Sequence, residues 1–486
     1  MKMVRSLLLG SAAGMVALSG AAQAADLPVK AKPVEYVKVC SIYGAGFYYV
    51  PGTDTCIKVG GYVRMDIGLN AGGSHAPYMS GGNGRDLRDK NTYNTRVRGI
   101  VTWDARTQTE YGTLRAYINA GWELNTTDAN YRGTIFFQRA FIQFAGLTVG
   151  KTQSFFGFYN NALNYSTLQG GGQNDTGLNV LAYTAQFAGG FSISIAAEDA
   201  GHHRAGIYDA AQGGLPIGGF GGPAYGDYAG VQWPDIVGNI RVDQPWGSAQ
   251  IAGAVHQVRS LYRGANVNTN LPGFDETGFA VSGGLRFNLP FAQGDQIWIQ
   301  GTYASGATQY LGFNPFVQTS GGFAMYSGGL PSNLGGNGSF GGAWAVDAVA
   351  DGTGMSKIDG WSILAAARHF WTPSLRSSVF GHYTQVNYGN GANARACAAN
   401  LMGLDANGVQ NGCNFDFATM QIGFNTIWSP VRNLDIGVEV LYSKLDQKHQ
   451  GFGVLGTSGT RTGGIYRLRD QDTWSGTVRF QRNFWP

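Results

Sequence analysis

Arginines recur at alternate positions along the first third of the chain: Arg64 before Asp66, Arg96 with Arg98, then Arg115 and Arg139. In an extended backbone, residues two apart share a face, so these side chains form rows of positive charge. The chemistry open to such a row is electrostatic: it can attract and orient ions. Bond-making chemistry has no footing here. No G-x-S-x-G or H-E-x-x-H segment occurs, and these are the arrangements that would present a nucleophile or a zinc ion. The histidines are scattered apart from His202-His203, which sit in a Gly-rich stretch. Glycine pairs such as Gly60-Gly61 and Gly170-Gly171 precede no helix, so a phosphate cradle is not indicated. No catalytic residue, metal or cofactor is assigned.

Four cysteines complete the chemically distinctive set: Cys40, Cys56, Cys397 and Cys413. Three connectivities are possible. Loop-closure entropy favours the local ones, Cys40 with Cys56 and Cys397 with Cys413, and in an oxidising compartment each would contribute roughly 3 kcal/mol. Their spacing matches no zinc pattern.

The N-terminus reads as an export signal. Lys2 and Arg5 precede an apolar stretch, Leu7 to Gly20, and Ala22-Gln23-Ala24 is a small-residue cleavage site. Residues 1–24 are therefore expected to be removed. The net charge of +4 at 486 residues then falls close to neutral, which gives a nucleic-acid partner no electrostatic support. Residues 25–55 read as a lead-in with the Cys40–Cys56 loop, and residues 56–486 as one further unit.

That unit is built from strands. Only 13% of residues are charged, 13% are aromatic, and 76 are Gly, far from the roughly 25% charged and 7% Gly of ordinary soluble chains. No apolar run after the N-terminus is long enough for a membrane helix. Instead, segments of period-two alternation recur. In Ile57–Asn70 one face carries Val59, Val63, Met65, Ile67 and Leu69; the other carries Lys58, Tyr62, Arg64 and Asp66. Fifteen further segments follow: 91–106, 110–124, 132–145, 146–153, 178–188, 190–199, 233–243, 247–259, 276–288, 294–306, 357–371, 374–388, 415–428, 432–447 and 470–484. Most reach or exceed the roughly 9–11 residues that a tilted membrane strand needs.

The connections alternate between tight turns and long loops. Turns are expected at 106–108, Gly146, Gly189-Gly190, Pro245-Trp246, 290–294, Pro373 and Pro430-Val431. Long Gly/Asn/Ser-rich loops follow the odd segments, the longest at 154–177, 200–232, 307–356, 389–414 and 448–469. A meander through an outer membrane has this asymmetry. The expected fold is all-β: a sixteen-stranded antiparallel transmembrane β-barrel, wide enough for an aqueous channel. Trp103, Trp122, Tyr303, Tyr383, Trp428, Tyr442 and Trp474 lie near segment ends, as interfacial girdles require.

Several segments are familiar. Val39-Cys40-Ser41-Ile42-Tyr43-Gly44, then Pro51 to Cys56 and Gly60-Gly61-Tyr62-Val63-Arg64, resemble the start of the alphaproteobacterial (rhizobial-type) outer-membrane general porin family. Arg139 to Lys151, Trp371 to Arg376 and Val478 to Phe484 are similar too. The resemblance spans essentially the whole mature chain. It implies a homotrimer embedded in outer-membrane lipid, passing small hydrophilic solutes and ions, with the third external loop folded inward as a constriction. That loop maps to Ser154–Gly177; its aromatic cluster, Phe155, Phe156, Phe158 and Tyr159, suits an anchored loop, and Asp175 is its sole carboxylate. Arg64, Arg96, Arg98, Arg115 and Arg139 are expected to face it, with Arg376 and Arg479 as further lumen bases and Glu198 as a second opposing acid. The simpler role for these arginines is to pair with Asp66, Asp104 and Glu123 and keep the lumen wet. The sequence departs from the pattern at its end, where Trp485-Pro486 follows Phe484. A substrate-selective channel for sugars or amino acids is an alternative function, and a secreted all-β adhesin a more distant one.

Overall fold

The structure is a computed structural model, and it describes residues 38–71, 91–126, 133–168, 177–210, 228–261, 273–313, 322–327, 339–399, 401–455 and 464–484. The expected signal, residues 1–24, and the lead-in up to residue 37 lie outside the described residues.

Sixteen strands wind in chain order. The first eight are β1 (Cys56–Leu69), β2 (Tyr93–Thr109), β3 (Gly112–Asn125), β4 (Thr134–Phe144), β5 (Leu147–Thr152), β6 (Leu178–Gln186), β7 (Phe191–Glu198) and β8 (Asp235–Gln244). The second eight are β9 (Gly247–Arg259), β10 (Asp275–Asn288), β11 (Gln296–Ser305), β12 (Asp359–Thr372), β13 (Leu375–Asn387), β14 (Phe417–Val431), β15 (Leu434–Gln447) and β16 (Gln471–Asn483). Each pairs antiparallel with the next, and β16 returns to β1 with Tyr62 opposite Asn483 and Leu69 opposite Gly476. The sheet is thereby a closed barrel. Among the described residues no helix is long and apolar enough to cross a membrane.

Alternation decides which face points outward. Ile135 and Ile251 are 70% and 71% exposed on the outside, whereas Asp66, Gln421, Asn425 and Ser443 are fully covered on the inside. An apolar exterior of this extent suits hydrocarbon rather than water. Aromatic pairs ring its two ends: Phe279–Tyr303, Trp361–Tyr383 and Tyr442–Trp474 at one, Trp246–Phe287 at the other, with centroids 5.0–6.0 Å apart.

The strand count and the alternation of short and long connections stand as read from sequence, with local corrections. The reversal expected at 106–108 lies at Glu110-Tyr111, because both strands keep pairing until Thr109 meets Gly112. The one expected at Pro430-Val431 falls at Arg432-Asn433, where Asn433 takes φ +67°, a conformation Asn tolerates well. Strict alternation also fails within β4. There Asn119 faces Arg139 and Ala120 faces Phe137, which leaves Gln138 as a bulge. The extra residue changes parity, so Ile135, Phe137 and Ile142 all point outward while Arg139 points in.

Both local disulfides are present, Cys40–Cys56 and Cys397–Cys413. The first ties the lead-in to the start of β1. The second ties the helix Gly389–Ala398 to the segment entering β14. At the end with long connections, Tyr310, Phe313, Trp344, Tyr388, Phe415 and Tyr466 share one buried apolar cluster with Phe156. External loops thus pack on one another.

The closing seam depends on one glycine. Gly61 has φ +146°, and a Cβ there would lie 2.0 Å from the Ile100 carbonyl oxygen and 2.5 Å from the Phe484 ring. Phe484 donates its N–H to the Gly61 carbonyl at 3.1 Å, which extends the seam one residue beyond β16. We predict that Gly61→Ala costs roughly 1–3 kcal/mol of backbone strain and lowers the temperature at which the folded barrel unfolds in detergent. A melting temperature equal to the parent's would refute this role.

Candidate functional site

The lumen has two unlike halves. One wall, formed by β16 and β1–β4, carries a basic stripe. The other is covered by the connection between β5 and β6, which turns inward and follows the wall strand by strand.

The covered half is organised by backbone hydrogen-bonding needs. A chain segment folded inside a barrel must find partners for its N–H and C=O groups, and the wall side chains supply them. Glu198, at the end of β7, accepts from the Phe155 N–H and the Ser154 hydroxyl, each at 2.7 Å. Asn239 on β8 donates to the Phe155 carbonyl at 2.6 Å, and Gln250 on β9 donates to the Gly157 carbonyl at 3.1 Å. The Gln300 side-chain oxygen on β11 accepts from the Tyr159 N–H at 3.0 Å. Arg368 on β12 reaches the Ala162 carbonyl, and Asn425 on β14 donates to the Leu163 carbonyl at 2.8 Å. Finally, Glu439 on β15 accepts from the N–H groups of Tyr165 and Ser166, both at 2.6 Å.

Two wall glycines make room for the loop's rings. A Cβ at Gly284 would collide with Phe158, and one at Gly437 with the Tyr165 hydroxyl. Phe158, Tyr159, Leu163 and Leu168 then pack on Trp298, Leu364, Phe380 and Leu441, which face inward. Burial pushes the Tyr165 phenol up to about 12, so it stays neutral, and the Arg479 guanidinium lies 3.9 Å from its ring centroid.

The uncovered half carries inward-facing Arg64, Arg96, Arg98, Arg106, Arg115, Arg139 and Arg479, against Asp66, Asp104 and Glu123. Asp66 is shared by Arg96 at 3.0 Å and Arg479 at 2.6 Å. Asp104 takes both Arg106 at 2.8 Å and Arg115 at 2.9 Å. Glu123 pairs with Arg98, and Arg96 lies 4.0 Å away. Arg64 donates to the Gln481 side chain at 2.8 Å, and Arg139 to the Gln138 carbonyl at 2.7 Å. Bases outnumber carboxylates along this stripe, so its field is positive.

The site residues read from sequence therefore divide. Arg64, Arg96, Arg98, Arg115, Arg139 and Arg479 lie together on the stripe. Arg376 does not. It sits beside the β12–β13 turn, paired with Asp435 at 2.7 Å and Ser429 at 2.9 Å. Glu198 is fully buried and also meets His203 at 3.0 Å; it anchors the inward connection rather than presenting a charge to the lumen. Asp175 lies outside the described residues. Arg106 and the loop-holding set Asn239, Gln250, Gln300, Asn425 and Glu439 were not singled out from sequence. A usable signal did exist: Leu364, Phe380 and Leu441 interrupt the polar inner face, and such apolar breaks mark where the wall receives another segment.

Replacing Glu439 by Ala would leave two buried N–H groups without their acceptor, at roughly 1–3 kcal/mol each. We expect single channels of Glu439→Ala to show larger and noisier conductance than the parent. Traces that match the parent in step size and noise would show that this carboxylate does not hold the loop.

Comparison with known proteins follows the same architecture. The family model described as "Porin subfamily" matches residues 26–477. Porin Omp2b of Brucella suis is 34% identical over 321 residues, covering 63% of this chain and 75% of that protein. Porin Omp2b of Brucella neotomae is 33% identical over 340 residues, covering 67% and 80%. Among solved structures, the outer membrane channel DcaP of Acinetobacter baumannii is similar with a TM-score of 0.59 over 90% of this chain and 99% of that one. At 15% identity this is a likeness of fold.

Proposed function

The chain belongs to the porin subfamily and is an outer-membrane porin channel, and we propose that its constriction is the gap between the inward loop and the basic stripe. Solutes pass by diffusion through water. Their size is limited by loop residues 154–177, and their charge is read by Arg64, Arg96, Arg98, Arg115, Arg139 and Arg479. The observation that carries this reading is the asymmetry of the lumen: one half is covered by a tethered segment whose described residues, 154–168, carry no charge, and the other carries an excess of guanidinium. Asp175 is the loop carboxylate proposed to face the stripe. Arg376 acts at the periplasmic rim.

Small hydrophilic solutes are the proposed cargo, and anions are favoured because a stripe of net positive fixed charge raises local anion concentration. The family resemblance also supports a homotrimer in outer-membrane lipid and a mature chain that begins after residue 24. A channel dedicated to sugars or amino acids draws no comparable support from the wall.

Single-channel recordings in salts of unequal ion mobility test the reading. Arg98→Gln with Arg115→Gln is expected to lower the chloride-to-potassium permeability ratio by roughly twofold. Unchanged conductance and selectivity would remove these two arginines from the constriction.

A further inference from the structure

The basic stripe is also an aromatic stripe. Inward positions on β1–β4 fall in rungs fixed by the strand register. The rung of Arg106 and Arg115 is followed by one holding Tyr117 and Phe141, which stack at 5.1 Å and 26°, beside Asp104 and Lys58. Next come Arg139, then Tyr62 with Phe136 beside Ile100 and Gly121, then Arg64 with Arg98 and Glu123, and last Arg96 with Arg479 and Asp66 between them. Cationic rungs and ring-bearing rungs thus alternate through most of the channel's length. Consecutive rungs lie two residues apart, roughly 6.7 Å along a strand.

The alternation is held in contact. Arg115 lies 4.9 Å from the Tyr117 ring centroid and 5.3 Å from that of Phe141. Arg98 lies 4.9 Å from Phe136, and Arg64 lies 4.5 Å from Tyr62. A Cβ at Gly121 would stand 2.7 Å from the Phe136 ring, so the glycine lets that ring lie across β3. All four rings are part-exposed rather than buried, which leaves ring surface open to the lumen. Keeping the lumen wet does not account for Phe136 and Phe141, because polar side chains would serve that purpose better.

We propose that the preferred solutes of this channel are planar aromatic carboxylates. The proposal rests on the stripe being the anion path described above. A guanidinium presents a flat fork that fits a carboxylate through two N–H groups, and its face and the neighbouring ring both accept a flat aromatic partner. A benzoate-like solute satisfies both demands at once, with its carboxylate on one rung and its ring on the next. The repeat then offers several weak sites in series, which favours passage over trapping. A saccharide would use the rings and gain nothing from the excess of guanidinium over carboxylate. A saturated carboxylate would do the reverse.

Bi-ionic reversal potentials across planar bilayers holding the full-length protein provide the test, with potassium benzoate on one side and potassium cyclohexanecarboxylate on the other. Charge and size are closely matched, and only benzoate has a π face. The expected permeability ratio favours benzoate by about threefold, the worth of one stacking contact. In Tyr117→Leu with Phe141→Leu the ratio should fall towards one, whereas Tyr383→Leu on the lipid face should keep it. The parent ratio is decisive even where the double variant does not assemble. A parent ratio of one, in channels that still favour chloride over potassium, overturns the aromatic assignment alone. Channels that favour potassium overturn the anion path together with it.

Discussion

Hydrocarbon offers no hydrogen bonds, and the remainder of this structure follows from that. Every N–H and C=O of a membrane-spanning segment must find a partner within the protein. Sixteen strands satisfy this only because β16 returns to β1. The seam is reinforced on both faces. Inside, Arg64 meets Gln481 and Asp66 meets Arg479 across it. Outside, Phe484 lies over Gly61, where a larger residue has no space. The pairing therefore continues to Phe484 itself, ahead of Trp485-Pro486.

The same requirement, moved inside the lumen, shapes the channel. The segment after β5 cannot float as a free strap, because its backbone groups would compete poorly for water in a narrow space. It is instead spread along the wall from β7 to β15, with wall amides and carboxylates taking its polar groups. Its rings fill sockets at Gly284 and Gly437. The half of the wall that holds the loop spends its polar side chains on it. The half that does not hold most of the loop keeps an excess of guanidinium over carboxylate. Charge asymmetry in the lumen is thus a consequence of where the loop is tethered.

The external side shows a related economy. Asp347, in the connection between β11 and β12, accepts from the N–H groups of Thr308 and Ala205 at 2.7 and 2.8 Å and from the Tyr228 hydroxyl at 2.8 Å. Tyr310 donates to Asp235 at 2.7 Å, and its ring stacks on His203 at 4.3 Å. His203 in turn meets Glu198, which holds Ser154 and Phe155. A continuous set of buried contacts therefore links the external loops to the root of the inward loop. Burial raises the Asp347 carboxyl above its ordinary range, and the four donors around it offset part of that cost.

Strand number, alternation, the sidedness of the connections, the local disulfides and the rows of inward arginines were all legible in the sequence. Each depends on residue spacing along an extended chain, and a period of two survives any tertiary arrangement. The bulge at Gln138 was not legible, because one extra residue is recognised only against the register of its neighbour. Glu198 read as a second acid opposing the arginines, and only the folded loop shows it holding Ser154 and Phe155. Asn239, Gln300, Asn425 and Glu439 are far apart in sequence, and what joins them is the path of a segment crossing many strands. The alternation of rings and guanidinium groups likewise comes from four separate strands set in register. The sequence by itself determined that this chain makes a barrel with a charged interior. Which charges are spent on structure, and which still face the solute, was decided by tertiary contacts, because a hydrogen bond depends on what lies within 3 Å in space and not on what lies nearby in the chain.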